Sequence, residues 1–70
     1  MKQPLTDRQQ EILDWVKEFI KTNSFPPSRS EIAAGFQFGS VNAADQHLKQ
    51  LQKKGHIELF SVARGIKVLP

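Results

Sequence analysis

Pro26 and Pro27 constrain this chain more than any other feature. Proline cannot continue a helix, and it pushes the residue before it into extended backbone. The pair therefore splits the first half of the chain into two helical segments. Each segment carries its own start signal. Thr6 is followed three residues later by Gln9, and Ser28 three residues later by Glu31, the spacing at which two side chains and two backbone N–H groups cap a helix reciprocally. After Thr6, Ile12, Leu13, Trp15, Val16, Phe19 and Ile20 recur at three- and four-residue steps, predicting an amphipathic helix from about Asp7 to Lys21. Asn23 and Ser24 stop it. After Ser28 a short helix buries Ile32, Ala33 and Phe36 and ends in a turn around Gln37, Phe38 and Gly39.

A third helix is predicted from Ser40 to Gly55. Its apolar face is Val41, Ala44, Leu48 and Leu51, Lys53 and Lys54 suit its C-terminal dipole, and Gly55 stops it. The period then changes. Ile57 and Leu59 point one way with Glu58 opposite, and after "SVARG" Ile66 and Val68 alternate with Lys67. Two short strands joined by a glycine-containing loop read as a hairpin. The expected fold is mainly α with a small β hairpin: a winged helix-turn-helix of three helices plus wing, filling residues 1–70 as one domain.

Seventy residues without cysteine exclude a disulfide or thiolate-metal staple and leave a limited core. No apolar run is long enough for a membrane span and no signal-peptide pattern opens the chain, so it reads as soluble and cytoplasmic. His47 and His56 have no cysteine partners and fall short of a metal ligand set; His47 is expected to edge the core, and Trp15 and the five Phe to fill it. Ser40, Asp45 and His47 share one short helix and cannot form a catalytic triad around a cleft, so the chain is read as no enzyme, with no cofactor.

Charge placement gives direction. Residues 1–38 carry five bases and five acids; residues 39–70 carry five bases and two acids, so the whole net charge of +3 lies in the second half. Such asymmetry points weakly to a polyanion. On the third helix, Asn42 and Gln46 lie opposite the apolar face near the N-terminal end, with Ala43 beside them. An amide both donates and accepts, as adenine N6 and N7 require, and a small methyl meets a thymine methyl. Recognition helices point their N-terminal residues at base edges. Lys49 and Lys53 continue the stripe toward phosphate. Asp45, on its flank, counts against non-specific binding and is able to accept from cytosine N4. Arg64, beside Gly65, is expected to be an exposed wing-tip cation facing phosphate or the minor groove. The competing reading is a winged helix that docks proteins, which would expose apolar residues on the third helix.

The strings "LTDRQQEILDWV", "PPSRSEIA", "SVNAADQHLKQLQKKGHIE" and "RGIKVL" together resemble the N-terminal DNA-binding domain of the LexA family of SOS repressors, over essentially the whole chain. The resemblance implies a bacterial, nucleoid-associated repressor of DNA-damage genes that binds palindromic, CTGT-type operators in double-stranded DNA as a homodimer. It implies base reading by Ser40, Asn42, Ala43, Asp45 and Gln46. With these the residues assigned to phosphate are Arg29, Lys49, Lys53 and Arg64. In full-length family members a C-terminal domain dimerises and, on a RecA filament, cleaves the linker with a Ser–Lys dyad. The 70 residues contain none of it, so this chain is expected to be a monomer. Three departures stand out. Asp45-Gln46 replaces two consecutive glutamates of the common enterobacterial form. Gln37 stands where the turn usually has glycine, so either Gln37 is left-handed, at roughly 1 kcal/mol of strain, or Gly35 or Gly39 takes the bend. The wing before Arg64 is about one residue shorter.

Overall fold

The computed structural model describes residues 2–70. The order is α1 (Asp7–Asn23), α2 (Arg29–Gly35), α3 (Val41–Lys53), β1 (Ile57–Leu59) and β2 (Ile66–Val68). Both predicted capping boxes are complete. Thr6 Oγ1 accepts from Gln9 N at 3.2 Å while Gln9 Oε1 accepts from Thr6 N at 3.0 Å. Ser28 Oγ accepts from Glu31 N at 3.1 Å while Glu31 Oε1 accepts from Ser28 N at 2.8 Å. The first helix runs two residues past the predicted end, to Asn23. Asn23 Nδ2 donates to the Phe19 carbonyl, and Ser24, left-handed at φ 65, donates its N–H to the Ile20 carbonyl. The helix thus ends in a left-handed residue without using glycine.

The other two helix ends share one hydrogen-bond pattern. At the end of α3, His56 N donates to Leu51 O and Gly55 N to Gln52 O, with Gly55 at φ 87. At the end of α2, Phe38 N donates to Ala33 O and Gln37 N to Ala34 O, with Gln37 at φ 57. Both are Schellman turns, which require a left-handed residue. Glycine fills that position in one and glutamine in the other. Gln37, not Gly35 or Gly39, therefore takes the bend between α2 and α3.

The core is aliphatic. Ile12, Leu13 and Val16 of α1, Ile32 and Ala33 of α2, Ala44, Leu48 and Leu51 of α3, and Ile57 and Ile66 of the hairpin form one buried cluster. The aromatic residues do not fill it, contrary to expectation: Trp15, Phe36 and Phe38 pack against it half-buried, while Phe25 and Phe60 are 44% and 48% exposed. So short a chain encloses branched aliphatics more easily than large rings. The rings form a rim instead. Phe25, Phe19, Trp15, Phe36, Phe38 and His47 contact one another in sequence with centroids 5.2–5.9 Å apart. His47 thus edges the core by stacking on Phe38. Val41, expected on the apolar face, is 44% exposed, because as the first residue of α3 it overhangs the cluster.

β1 and β2 pair antiparallel, with Ile57 opposite Val68, Glu58 opposite Lys67 and Leu59 opposite Ile66. Beyond the ladder, Phe60 N donates to Gly65 O and Gly65 N to Val62 O, closing the tip. A Cβ on Gly65 would collide with the Phe60 carbonyl, so the tip tolerates no side chain there. One element was not foreseen. Residues 2–5 strap the end of α3 to the hairpin: Gln3 N donates to Lys54 O, and His56 Nε2 meets Gln3 O at 2.7 Å.

Candidate nucleic-acid interface

α2, its five-residue turn and α3 form the helix-turn-helix, with Ser40 as N-cap of α3. At about 100° per residue, Asn42, Gln46, Lys49 and Lys53 fall on one stripe and the buried Ala44, Leu48 and Leu51 on the opposite side. All four stripe residues are exposed. Core packing therefore fixes α3 with that stripe outward. Ser40 Oγ accepts from Ala43 N at 3.3 Å, so Ser40 is engaged as a cap while remaining exposed. Ala43 is half-buried at the edge of the stripe.

Among the described residues, the side chains of Asn42, Gln46 and Lys53 make no hydrogen bond or ion pair within the chain. Two amides at the N-terminal end of a fixed helix thus present free donors and acceptors. Lys49, 68% exposed, has its Nζ 3.1 Å from Asp45 Oδ2.

The remaining predicted site residues are tied into the fold. Arg29 Nε donates to Asp45 Oδ1 at 2.8 Å, with both side chains about three-quarters buried. Asp45 thus sits between Arg29 and Lys49. The Arg29 hydrogen bond, then that of Lys49, holds its carboxyl below the ordinary 3.8. Arg64 is exposed at the wing, as expected, but its guanidinium is also engaged within the chain. Its Nη1 donates to Glu31 Oε1 at 2.6 Å and to the Pro26 carbonyl at 2.9 Å, its Nη2 donates to Glu31 Oε2 at 3.2 Å, and its guanidinium lies 4.6 Å from the Phe25 ring centroid. The carboxyl of Glu31 is lowered from 4.5 to about 2, first by Arg64 and then by the Ser28 N–H. Sequence patterning gave no sign of this pair, because the capping box already accounted for Glu31.

The stripe contains no carboxylate, and its lysines lie along one line C-terminal to the amides. Chemically the face offers amide hydrogen bonds at one end and cations at the other, a division suited to base edges and phosphates respectively. Among the described residues no cluster of three or more His, Cys, Asp or Glu is placed to hold a metal ion, and no helix is long and apolar enough to cross a membrane.

Comparison with known proteins agrees with the geometry. A family profile described as "LexA DNA binding domain" matches residues 2–64. The LexA repressor of Thiobacillus denitrificans (strain ATCC 25259 / T1) is 57% identical over 65 residues, covering 91% of this chain and 32% of the relative. That of Actinobacillus pleuropneumoniae serotype 5b (strain L20) is 54% identical over 66 residues, covering 93% and 31%. That of Haemophilus influenzae (strain PittGG) is 49% identical over 67 residues, covering 94% and 32%. The chain spans about a third of the length of these relatives. With its fold, its outward polar stripe and a profile match over nearly its whole length, the chain belongs to the LexA DNA-binding-domain family.

Proposed function

We propose that this domain binds double-stranded DNA sequence-specifically, as the operator-recognition part of a transcriptional repressor that controls DNA-damage genes. The observation that carries the reading is the pair of free amides, Asn42 and Gln46, held outward at the start of α3. With Ser40 and Ala43 they face base edges in the major groove. Lys49 and Lys53 face phosphate, and Arg29 supports them from the first turn of α2. Asp45 serves the same surface by holding Arg29 and Lys49 in place, and it reads a base only where those pairs open.

The protein-docking alternative is not favoured. The centre of α3's outer face is polar, and its one exposed large apolar residue, Val41, stands at the helix start. Pairing of two copies on a palindromic operator, and release by a RecA filament, are proposed for a longer polypeptide that carries this domain. By itself the chain is expected to sediment as a monomer and to hold one half-site.

In vitro selection of duplexes from a random library, followed by titration of the selected and a scrambled duplex over a range of salt, tests the proposal. A recovered motif, tighter binding to it, and a linear fall of log affinity with log salt are expected. Failure to recover any duplex would remove the reading.

A further inference from the structure

A wing-tip arginine in a DNA-binding domain invites assignment to phosphate, yet every polar contact of the Arg64 guanidinium runs to the segment that opens α2. The fork onto Glu31 uses both terminal nitrogens, at 2.6 and 3.2 Å, a bidentate geometry that arginine provides and lysine does not. The anchor is rigid on its own account. Glu31 Oε1 is already fixed by the Ser28 N–H, the neighbouring Pro26 carbonyl takes a further bond at 2.9 Å, and Pro27 is fully buried. On the wing side, Gly65 follows Arg64 at the point where the tip closes on Phe60. Arg64 thus grips the base of the tip formed by Ser61, Val62 and Ala63, of which Val62 is 65% exposed.

The same turn of α2 braces the other DNA-facing element. Arg29, two residues before Glu31, bonds Asp45 of α3. α2 therefore gives a cation to the recognition helix and an anion to the wing. Both elements are referenced to one short, doubly capped turn.

We propose that Arg64 is a positioning residue: it bolts the wing to the first turn of α2 and so sets where Ser61, Val62 and Ala63 meet the duplex, and it does not itself neutralise a phosphate. This rests on the DNA-binding reading above. Because exposed ion pairs add little stability, the pair acts on geometry, and variants that lose it still fold.

The test compares Arg64→Gln, Glu31→Gln and the double variant. Glutamine at position 31 keeps an oxygen for the Ser28 N–H, so α2 retains its cap. The probe is a duplex selected on the wild-type chain. A latch predicts that both single variants weaken binding by about twofold or more, the lower end for coupled neighbours. It also predicts an unchanged salt slope for Arg64→Gln and a double variant no worse than either single. A phosphate contact predicts the reverse. Arg64→Gln would lower the slope by about one, Glu31→Gln would free the arginine and tighten binding, and either result overturns the proposal. Amide exchange of the wing without DNA decides independently of any duplex. Faster exchange at Val62 to Gly65 in both single variants supports the latch, and unchanged exchange overturns it. If the wild-type chain selects no duplex, the function reading fails while the exchange result still stands or falls for the latch.

Discussion

The recognition helix and the wing both carry polar groups that sequence alone would send to DNA, but the fold treats them oppositely. On α3, Asn42, Gln46 and Lys53 are held outward by a buried aliphatic face and have no side-chain partner among the described residues. On the wing, Arg64 is bonded three times to the segment Pro26–Glu31. The helix is oriented by packing and leaves these polar side chains exposed. The hairpin strands are seated on the core by Ile57 and Ile66, but the tip from Phe60 to Arg64 is exposed, and Arg64 ties the base of that tip to the start of α2. Residue type therefore does not assign a role; the structure immediately behind each side chain does.

The sharpest division between free and engaged groups is reached by removing the free amides together. Asn42→Ala with Gln46→Ala is expected to cost at least about 2 kcal/mol of affinity for the selected duplex, roughly 30-fold, since each adenine-reading amide contributes ~1–3 kcal/mol of discrimination. Scrambled duplex should be bound as before. Equal losses on both duplexes would place the amides with the phosphate contacts. Next in size, Lys53→Ala should weaken binding to both duplexes and lower the salt slope by about one unit, worth roughly threefold over a fourfold rise in salt. A loss confined to one sequence would make Lys53 a base reader.

Much of the frame that carries this contrast was legible in the sequence. Capping boxes at Thr6 and Ser28, the Pro26-Pro27 break, the helical spacing on α3 and Gly55 are local signals, and each is realised as read except at Val41, which the spacing placed on the apolar face and the structure leaves exposed. Other features depend on groups far apart in the chain. Glu31 and Arg64 are 33 residues apart, and Gln3 and His56 are 53 apart; no periodicity links either pair. The aromatic rim was misread for a related reason. Hydrophobicity says that a ring avoids water, but not whether 70 residues leave room to enclose it. The strand alternation was easier to read because one face of the hairpin lies on the core and the other does not.

Gln37 sharpens the comparison from the stability side, since it lies in the turn that leads into α3. Its left-handed backbone costs about 1–2 kcal/mol, partly offset by the greater freedom that glycine has when unfolded. Gln37→Gly is expected to raise stability by up to about 1 kcal/mol in urea melts, without changing duplex affinity. A lower midpoint would mean that the glutamine side chain itself holds the turn.

The smallest effect is acidic. Glu31 is lowered to about 2 and Asp45 lies below its ordinary 3.8, so in acid the unfolded chain binds more protons than the folded one. Stability from these two pairs is complete above about pH 4.5 and is lost as pH falls through the depressed values. Thermal melts across that interval should show the wild-type chain losing more stability than Glu31→Gln or Asp45→Asn. Parallel losses would show that neither pair holds the elements together.

The most direct test of the account is the single Asn42→Ala substitution, followed by the ratio of affinities for selected and scrambled duplex alongside the melting curve. Asn42 makes no side-chain bond within the described chain, and the cap of α3 is already supplied by Ser40. An unchanged melting temperature, an unchanged affinity for scrambled duplex, and a ratio reduced by about tenfold or more are expected. A lower melting temperature with a constant ratio would contradict the account, making Asn42 a structural residue and the outward stripe of α3 no more than a hydrated surface.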